Sequence, residues 1–293
     1  MKRLYVSVMV LLGFGIMTGQ APPAGGGPLT RHYRDGETLA YHMTGANDDW
    51  HYTADASAVV KTRADGKYVE EFRWTAMTSD GKTLTLPPAM ADFRQMLSLD
   101  SGWTPAGSDL SKVDRRFTGP VTDLMTFYVD MWLVNRIGML RRPGDHFHVP
   151  NPQTASWADG TRVLTGSDHI DFDLTFESMD AAKQTAVVKV RHVPPAQPKL
   201  QFPAAWMKTP VADTPNNWME VVKTTDGKYQ AGAGKETFDV SITVSTADGR
   251  MLAVNMENPV VTASRECDDA ALTRCGEARE HTIHRHIEMT LAR

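Results

Sequence analysis

One stretch of this chain repeats every three to four residues, while nearly all the rest repeats every two. It reads GPVTDLMTFYVDMWLVNRIGML, from Gly119 to Leu140. Val121, Leu124, Met125, Tyr128, Met131 and Trp132 share one helical face, and Phe127, Val134, Ile137 and Leu140 widen it. The polar remainder is a narrow strip of Thr122, Asp123, Thr126 and Asp130. Pro120 suits a first turn, and Arg141-Arg142-Pro143-Gly144 places cations and then breakers at the exit. The spacing therefore predicts a helix over Val121–Leu140 that must be covered on most of its circumference. Asp123, Asp130 and Arg136 make it a poor membrane span. The cover has to come from strands.

Alternation of period two marks strands from Thr38 onward, through Trp50–Lys61, Tyr68–Thr78, Gln184–Val193, Met251–Glu266 and His281–Ala292. Asp-Gly turns at Asp65, Asp80, Asp159, Asp226 and Asp248 separate many of them. Phe93–Leu99 fits a strand or a short helix equally. The turns follow no fixed period, which excludes a propeller. The expectation is a mainly β fold: a single large curved antiparallel meander sheet, a half-barrel of roughly ten strands. One long apolar helix packs in or over its concave face.

The first residues carry a different message. Lys2 and Arg3 precede the apolar run Leu4–Met17, and Thr18-Gly19-Gln20-Ala21 supplies small residues for cleavage. Residues 1–21 read as a signal peptide, 22–30 as a flexible Pro/Gly leader, and 31–293 as a single β-rich domain. Cleavage would take the basic residues from 31 to 29 against 35 acidic ones, a net charge of −6. The charges are interspersed with no basic stripe, so nucleic acid is excluded as a partner, and no transmembrane span remains after cleavage. Export to the periplasm or the extracellular space is an oxidising destination, where Cys267 and Cys275 read as one disulfide closing a short loop.

Three groups have residue types that do chemistry. Asp145, His146 and His148 follow the helix exit, with both His on one strand face, as a general base or a metal ligand set requires. His284, His286 and Glu288 alternate with apolar residues on the last strand and are zinc-type ligands; a solvated strand face has the same pattern. His169, Asp171 and Asp173 repeat that pattern. No HExxH, nucleophile elbow or phosphate-cradling glycine loop occurs, and no cofactor is implied. Met residues gather in and before the helix, as core filler or as the lining of an adaptable apolar pocket. Met125, Tyr128, Met131 and Trp132 are the helix residues placed to touch such a ligand.

The segments FTGPVTDLMTFYVDMWLVNR, GDHFHVP, SWADGT, IDFDLTF and VVKVRHVPPA resemble those of uncharacterised exported bacterial proteins with no assigned activity. In architecture, the order of strands, one helix and many strands is similar to the LolA-like periplasmic lipoprotein-carrier half-barrels. That resemblance implies a curved sheet over helix, with acyl chains held between. Three functions fit. The leading one is an exported binding protein for an apolar or lipid-like ligand held between sheet and helix. The second is an exported metal-dependent or other hydrolase using Asp145, His146 and His148. The third is a structural envelope protein with no ligand.

Overall fold

A computed structural model describes residues 27–48, 50–100, 113–150, 156–158, 162–165, 170–194 and 201–292. The expected signal peptide, most of the leader, His169 and the Asp159-Gly160 turn lie outside the described residues. In chain order the elements are β1 (Thr38–Asn47), β2 (Trp50–Thr62), β3 (Tyr68–Ser79), β4 (Lys82–Thr83), α1 (Pro88–Asp92), β5 (Gln95–Leu97) and α2 (Thr118–Ile137). There follow β6 (His146–Val149), β7 (Ser156–Ala158), β8 (Arg162–Thr165), β9 (Asp171–Asp180) and β10 (Thr185–Val193). The last third holds β11 (Trp218–Lys223), β12 (Tyr229–Glu236), β13 (Phe238–Ser245), β14 (Met251–Cys267) and β15 (Arg279–Leu291).

All these strands join one antiparallel sheet, which is not closed. The Asp-Gly turns work as their chemistry requires, with Gly66, Gly81, Gly227 and Gly249 at φ between 72° and 84°. The ambiguous Phe93–Leu99 segment contributes β5, paired to β3 through Phe72 and Gln95. The order departs from a simple meander in two places. β1 pairs with the last strand, Tyr41 lying opposite Leu291. The second departure is a fork. β12 and β13 run end to end along one edge of β14, with Glu236 opposite Val260 and Asp239 opposite Glu257. Pro259 sits in β14 at their junction, where the Thr237 N–H donates to its carbonyl at 3.3 Å. Proline has no N–H to return, so the ladder is interrupted there. Beyond that junction β12 carries β11 on its far edge, while β13 carries β10 and then β9.

Registration places one residue set on a shared inner face. Val240, Met256 and Ile287 line it from three adjacent strands, and all are buried. α2 packs on that face within the largest hydrophobic cluster. It starts three residues earlier than the sequence pattern suggests and stops at Gly138, whose φ of 59° closes the last turn through its N–H to the Val134 carbonyl. The expected polar strip does not reach solvent: Thr122, Asp123, Thr126 and Asp130 are all buried. Trp132, expected inside, is only half-buried, with the Arg136 guanidinium 5.3 Å from its ring centre. Two of the four polar residues have partners on strands well apart in the sheet, Asp123 with Tyr52 of β2 and Arg285 of β15, and Asp130 with His192 of β10. Among the described residues no helix is long and apolar enough to cross a membrane.

A second, smaller cluster lies on the opposite face of β11 and β12. Met219, Ala231 and Ala233 meet Met207 from a single 3-10 turn at Ala205–Lys208, and Cys267 and Leu272 join them. Cys267 and Cys275 are bonded, with sulfurs 2.05 Å apart.

Two outcomes follow from this packing. Leu124→Ala should destabilise by about 2–5 kcal/mol and Trp132→Ala by clearly less, measured by chemical denaturation, because only the first side chain is fully enclosed. Equal losses would mean that α2 is not held as described. Reduction of the disulfide should lower stability by roughly 2–3 kcal/mol in the loop-entropy model, and Cys267→Ala should reproduce that fall with no further effect of reductant.

Candidate functional site

The inner face carries charged residues in phase with its apolar ones. Arg285 shares its phase with Ile283 and Ile287, His192 with Val188 and Val190, and Glu70 with Phe72 and Trp74. Placing such groups under a helix is costly unless each finds a partner. α2 and its neighbours supply most of them. Asp123 accepts from Arg285 Nη2 at 2.5 Å and from the Tyr52 hydroxyl at 2.8 Å. Tyr52 reaches it by lying across Gly45, where any Cβ would stand 2.1 Å from the ring. Asp130 Oδ1 meets His192 Nε2 at 2.7 Å, and that imidazole is held between Phe172 and Phe238, with ring centres 4.8 and 4.7 Å away. The Tyr128 hydroxyl donates to Glu70 Oε2, whose other oxygen is 3.5 Å from Arg31 Nε.

The first of these contacts continues along the sheet. Arg285 Nη1 donates to Asn258 Oδ1 at 2.8 Å, and Asn258 Nδ2 donates to Glu236 Oε1 at 3.2 Å. Asn217 ties the Glu236 backbone at both ends, donating to its carbonyl at 3.1 Å and accepting from its N–H at 2.9 Å. Among the described residues Glu236 Oε2 is buried without a hydrogen-bond partner, and so are Asp130 Oδ2 and Trp218 Nε1. Register fixes where these groups stand. Trp218 is opposite Gly234, two residues from Glu236, and its indole lies so close that a Cβ on Gly234 would be 2.7 Å from Cζ2. Glu236 is opposite Val260, which is opposite Ile283. Trp218, Val260 and Ile283 thus form an apolar patch one pleat beyond Arg285, the residue that bonds Asp123 near the start of α2. We take this patch, with Glu236 and the Trp218 N–H beside it, as the candidate site.

Burial pushes the Glu236 carboxyl above its ordinary range, against the opposing pull of Arg285, the Asn258 hydrogen bond and His192. Burial likewise raises Asp130 despite His192, and Glu70 despite Arg31.

The residues singled out from sequence fall elsewhere. Met125, Tyr128 and Met131 are enclosed in the main core, and Trp132 sits at its edge. Asp145 does not face the histidines: its carboxylate accepts from the Arg141 and Arg142 N–H groups at 2.8 and 3.0 Å, closing a turn that holds its pKa low. His146 and His148 are exposed on the outer face. Pairing of β6 with β9 brings them to Asp171 and Asp173, merging two groups that are far apart in sequence. His148 Nδ1 is 2.7 Å from Asp173 and Nε2 is 3.6 Å from Asp171. His284, His286 and Glu288 also face outward, His286 lying 2.7 Å from Glu257 and 3.3 Å from Glu288. Among the described residues no three His, Cys, Asp or Glu side chains are set to hold a metal ion. Sequence reasoning passed over Glu236, Asn258, Arg285 and Trp218. The available signal was a charged residue in the apolar phase of an alternating strand, as Arg285 is between Ile283 and Ile287.

The raised Glu236 carboxyl has a consequence for stability. A proton held more tightly in the folded chain stabilises it fully below the ordinary glutamate value of about 4.3, and this contribution fades as pH rises through the raised value. Glu236→Gln should therefore gain stability relative to the parent as pH increases from 4 toward 8, read by urea denaturation. A difference that does not vary with pH would show that Glu236 is not tuned in this way.

No protein-family model matches this chain, and no curated protein matches it. Among solved structures, a mutant of Rh. blastica porin aligns at 9% identity and a TM-score of 0.21, over 87% of this chain and 99% of that one. A structure titled "Asymmetric conductivity of engineered proteins" aligns with the same identity, coverage and TM-score.

Proposed function

We propose that the chain is an exported binding protein whose sheet forms a half-barrel around α2, and that it holds an apolar or lipid-like molecule between sheet and helix. The curvature is supported by reach. Tyr128 and Asp130 are two residues apart on α2, yet they meet Glu70 of β3 and His192 of β10. Six strand spacings separate β3 from β10, roughly 29 Å on a flat sheet at about 4.8 Å each, against a helix about 10–12 Å wide. Export is supported by the charged and apolar pattern of residues 1–21 and by the bonded Cys267–Cys275 pair.

Met125, Tyr128 and Met131 are packed into the core, so the ligand's place shifts to the patch formed by Trp218, Val260 and Ile283. The observation that carries this reading is the coincidence there of an apolar floor with two buried polar atoms lacking partners, Glu236 Oε2 and Trp218 Nε1. Pockets for amphipathic molecules combine an apolar lining with a few convergent polar groups in this way.

Mature protein purified from the exported fraction and stripped of lipid should take up a fluorescent acyl-chain probe saturably, near one per chain. Trp218→Ala should weaken uptake by at least ~10-fold, about 1.4 kcal/mol, while Trp132→Ala leaves it nearly unchanged. Circular dichroism would confirm that both variants are folded. No saturable uptake, together with no co-purifying lipid by mass spectrometry, would refute the reading.

A further inference from the structure

The buried charges at the candidate site do not balance. Asp123 is matched by Arg285, and Asp130 by His192. Glu236 has only the Asn258 amide on one oxygen, and the charged groups around it, Arg285, His192 and Asp123, are already engaged with α2 or belong to it. Three carboxyl groups therefore face one guanidinium and one imidazole, so an ionised Glu236 has no cation of its own, and burial holds its proton tightly. Among the described residues, the unpartnered side-chain atoms around this site are the Asp130 and Glu236 carboxylate oxygens, which accept, and the Trp218 N–H, which donates. The Arg285 charge is already matched by Asp123, with Nη2 donating to that carboxylate at 2.5 Å and Nη1 to Asn258 at 2.8 Å.

From this geometry we propose that the ligand carries a cationic, hydrogen-bond-donating amine head that docks on Glu236, with its apolar chain over Trp218, Val260 and Ile283. This rests on the binding function above and narrows its ligand class. A protonated amine supplies the missing positive charge and gives Glu236 Oε2 the donor it lacks, and in a water-poor site such a charge-assisted bond is the strong kind. An anionic carboxylate or phosphate head would stand beside Glu236 with no free cation, a like-charge placement that disfavours binding. An alcohol head can donate to Glu236 and accept from Trp218 Nε1 but leaves the charge deficit in place, so it ranks between the two.

The test uses three probes of equal chain length, dodecylamine, dodecanol and dodecanoate. Each competes at pH 7 against the fluorescent probe on delipidated mature protein, below its micelle threshold. The amine should displace it at least ~10-fold more effectively than the alcohol, and the carboxylate should be weakest. Glu236→Gln keeps the shape and the Asn258 contact; it should erase the amine's advantage over the alcohol while the alcohol's own affinity changes little. Should that variant fail to fold, the ranking in the parent protein decides the matter alone. Dodecanoate binding as well as dodecylamine, or an amine preference that survives Glu236→Gln, overturns the proposal while the binding function stands. Failure of all three probes, with no uptake of the fluorescent probe either, refutes the binding function itself.

Discussion

Everything in this fold depends on neutralising the charges that α2 carries into the interior. A helix covered on nearly every side leaves no face for Asp123 and Asp130 to reach water, and an unpaired buried carboxylate is one of the most destabilising groups a core can contain. The sheet answers with Arg285 and Tyr52 for the first and His192 for the second. These contacts also fix position. Asp123 and Asp130 are seven residues apart, two helical turns, and their partners stand on β15 and β10, so rotation or sliding of α2 would break both at once. Apolar packing alone would hold such a helix in many nearly equivalent rotations; the ion pairs select one.

A third contact extends the same logic to the chain's beginning. Glu70 would be a buried acid under the middle of α2 were it not for Tyr128 and the Arg31 guanidinium. Arg31 arrives on the segment before β1, and its N–H also bonds Asn135 Oδ1 at 3.1 Å near the helix end. Its guanidinium bonds Glu37 at 2.7 Å and lies 4.3 Å from the centre of the Tyr33 ring. The end of the Pro/Gly leader and the residues just after it are thereby built into the core, with Leu29 of the leader buried.

Much of this was legible before any coordinates. Period-two alternation located nearly every long strand within a few residues, because each has one wet and one buried face, and the Asp-Gly pairs marked the hairpins through their demand for positive φ. The long helix was equally plain. Its environment was not. Counting Thr122, Asp123, Thr126 and Asp130 as a solvent strip assumed that polar side chains turn outward, an assumption that fails wherever a partner waits inside. Asp123 and Asp130 find theirs on strands more than fifty residues away, which no local pattern reveals, while the Thr122 and Thr126 hydroxyls bond carbonyls of the helix itself. The His and Asp groups favoured from sequence face outward for the complementary reason: alternation with apolar residues is what puts a polar side chain in water. Arg285, in the opposite phase to its histidine neighbours, was the informative residue of that strand.

The fork at Thr237 and Pro259 turns this packing into two compartments. On one side of it, β13, β10 and β9 continue the sheet and give Val240, Val190 and Leu174 to the main core around α2. On the other, β12 offers that face Gln230 and then only Gly232 and Gly234 before Glu236, so this part of the strand has little of its own with which to fill space. Trp218 covers part of it from β11, and the smaller cluster and the disulfide brace the opposite face of the same strands. A glycine-lined surface, stiffened from behind and ending in a carboxylate that the core does not neutralise, has no evident purpose in stability. Glycine weakens a strand, and a buried acid with one free oxygen weakens the fold. Those two costs fall together on one face of β12, and the binding function proposed above accounts for both.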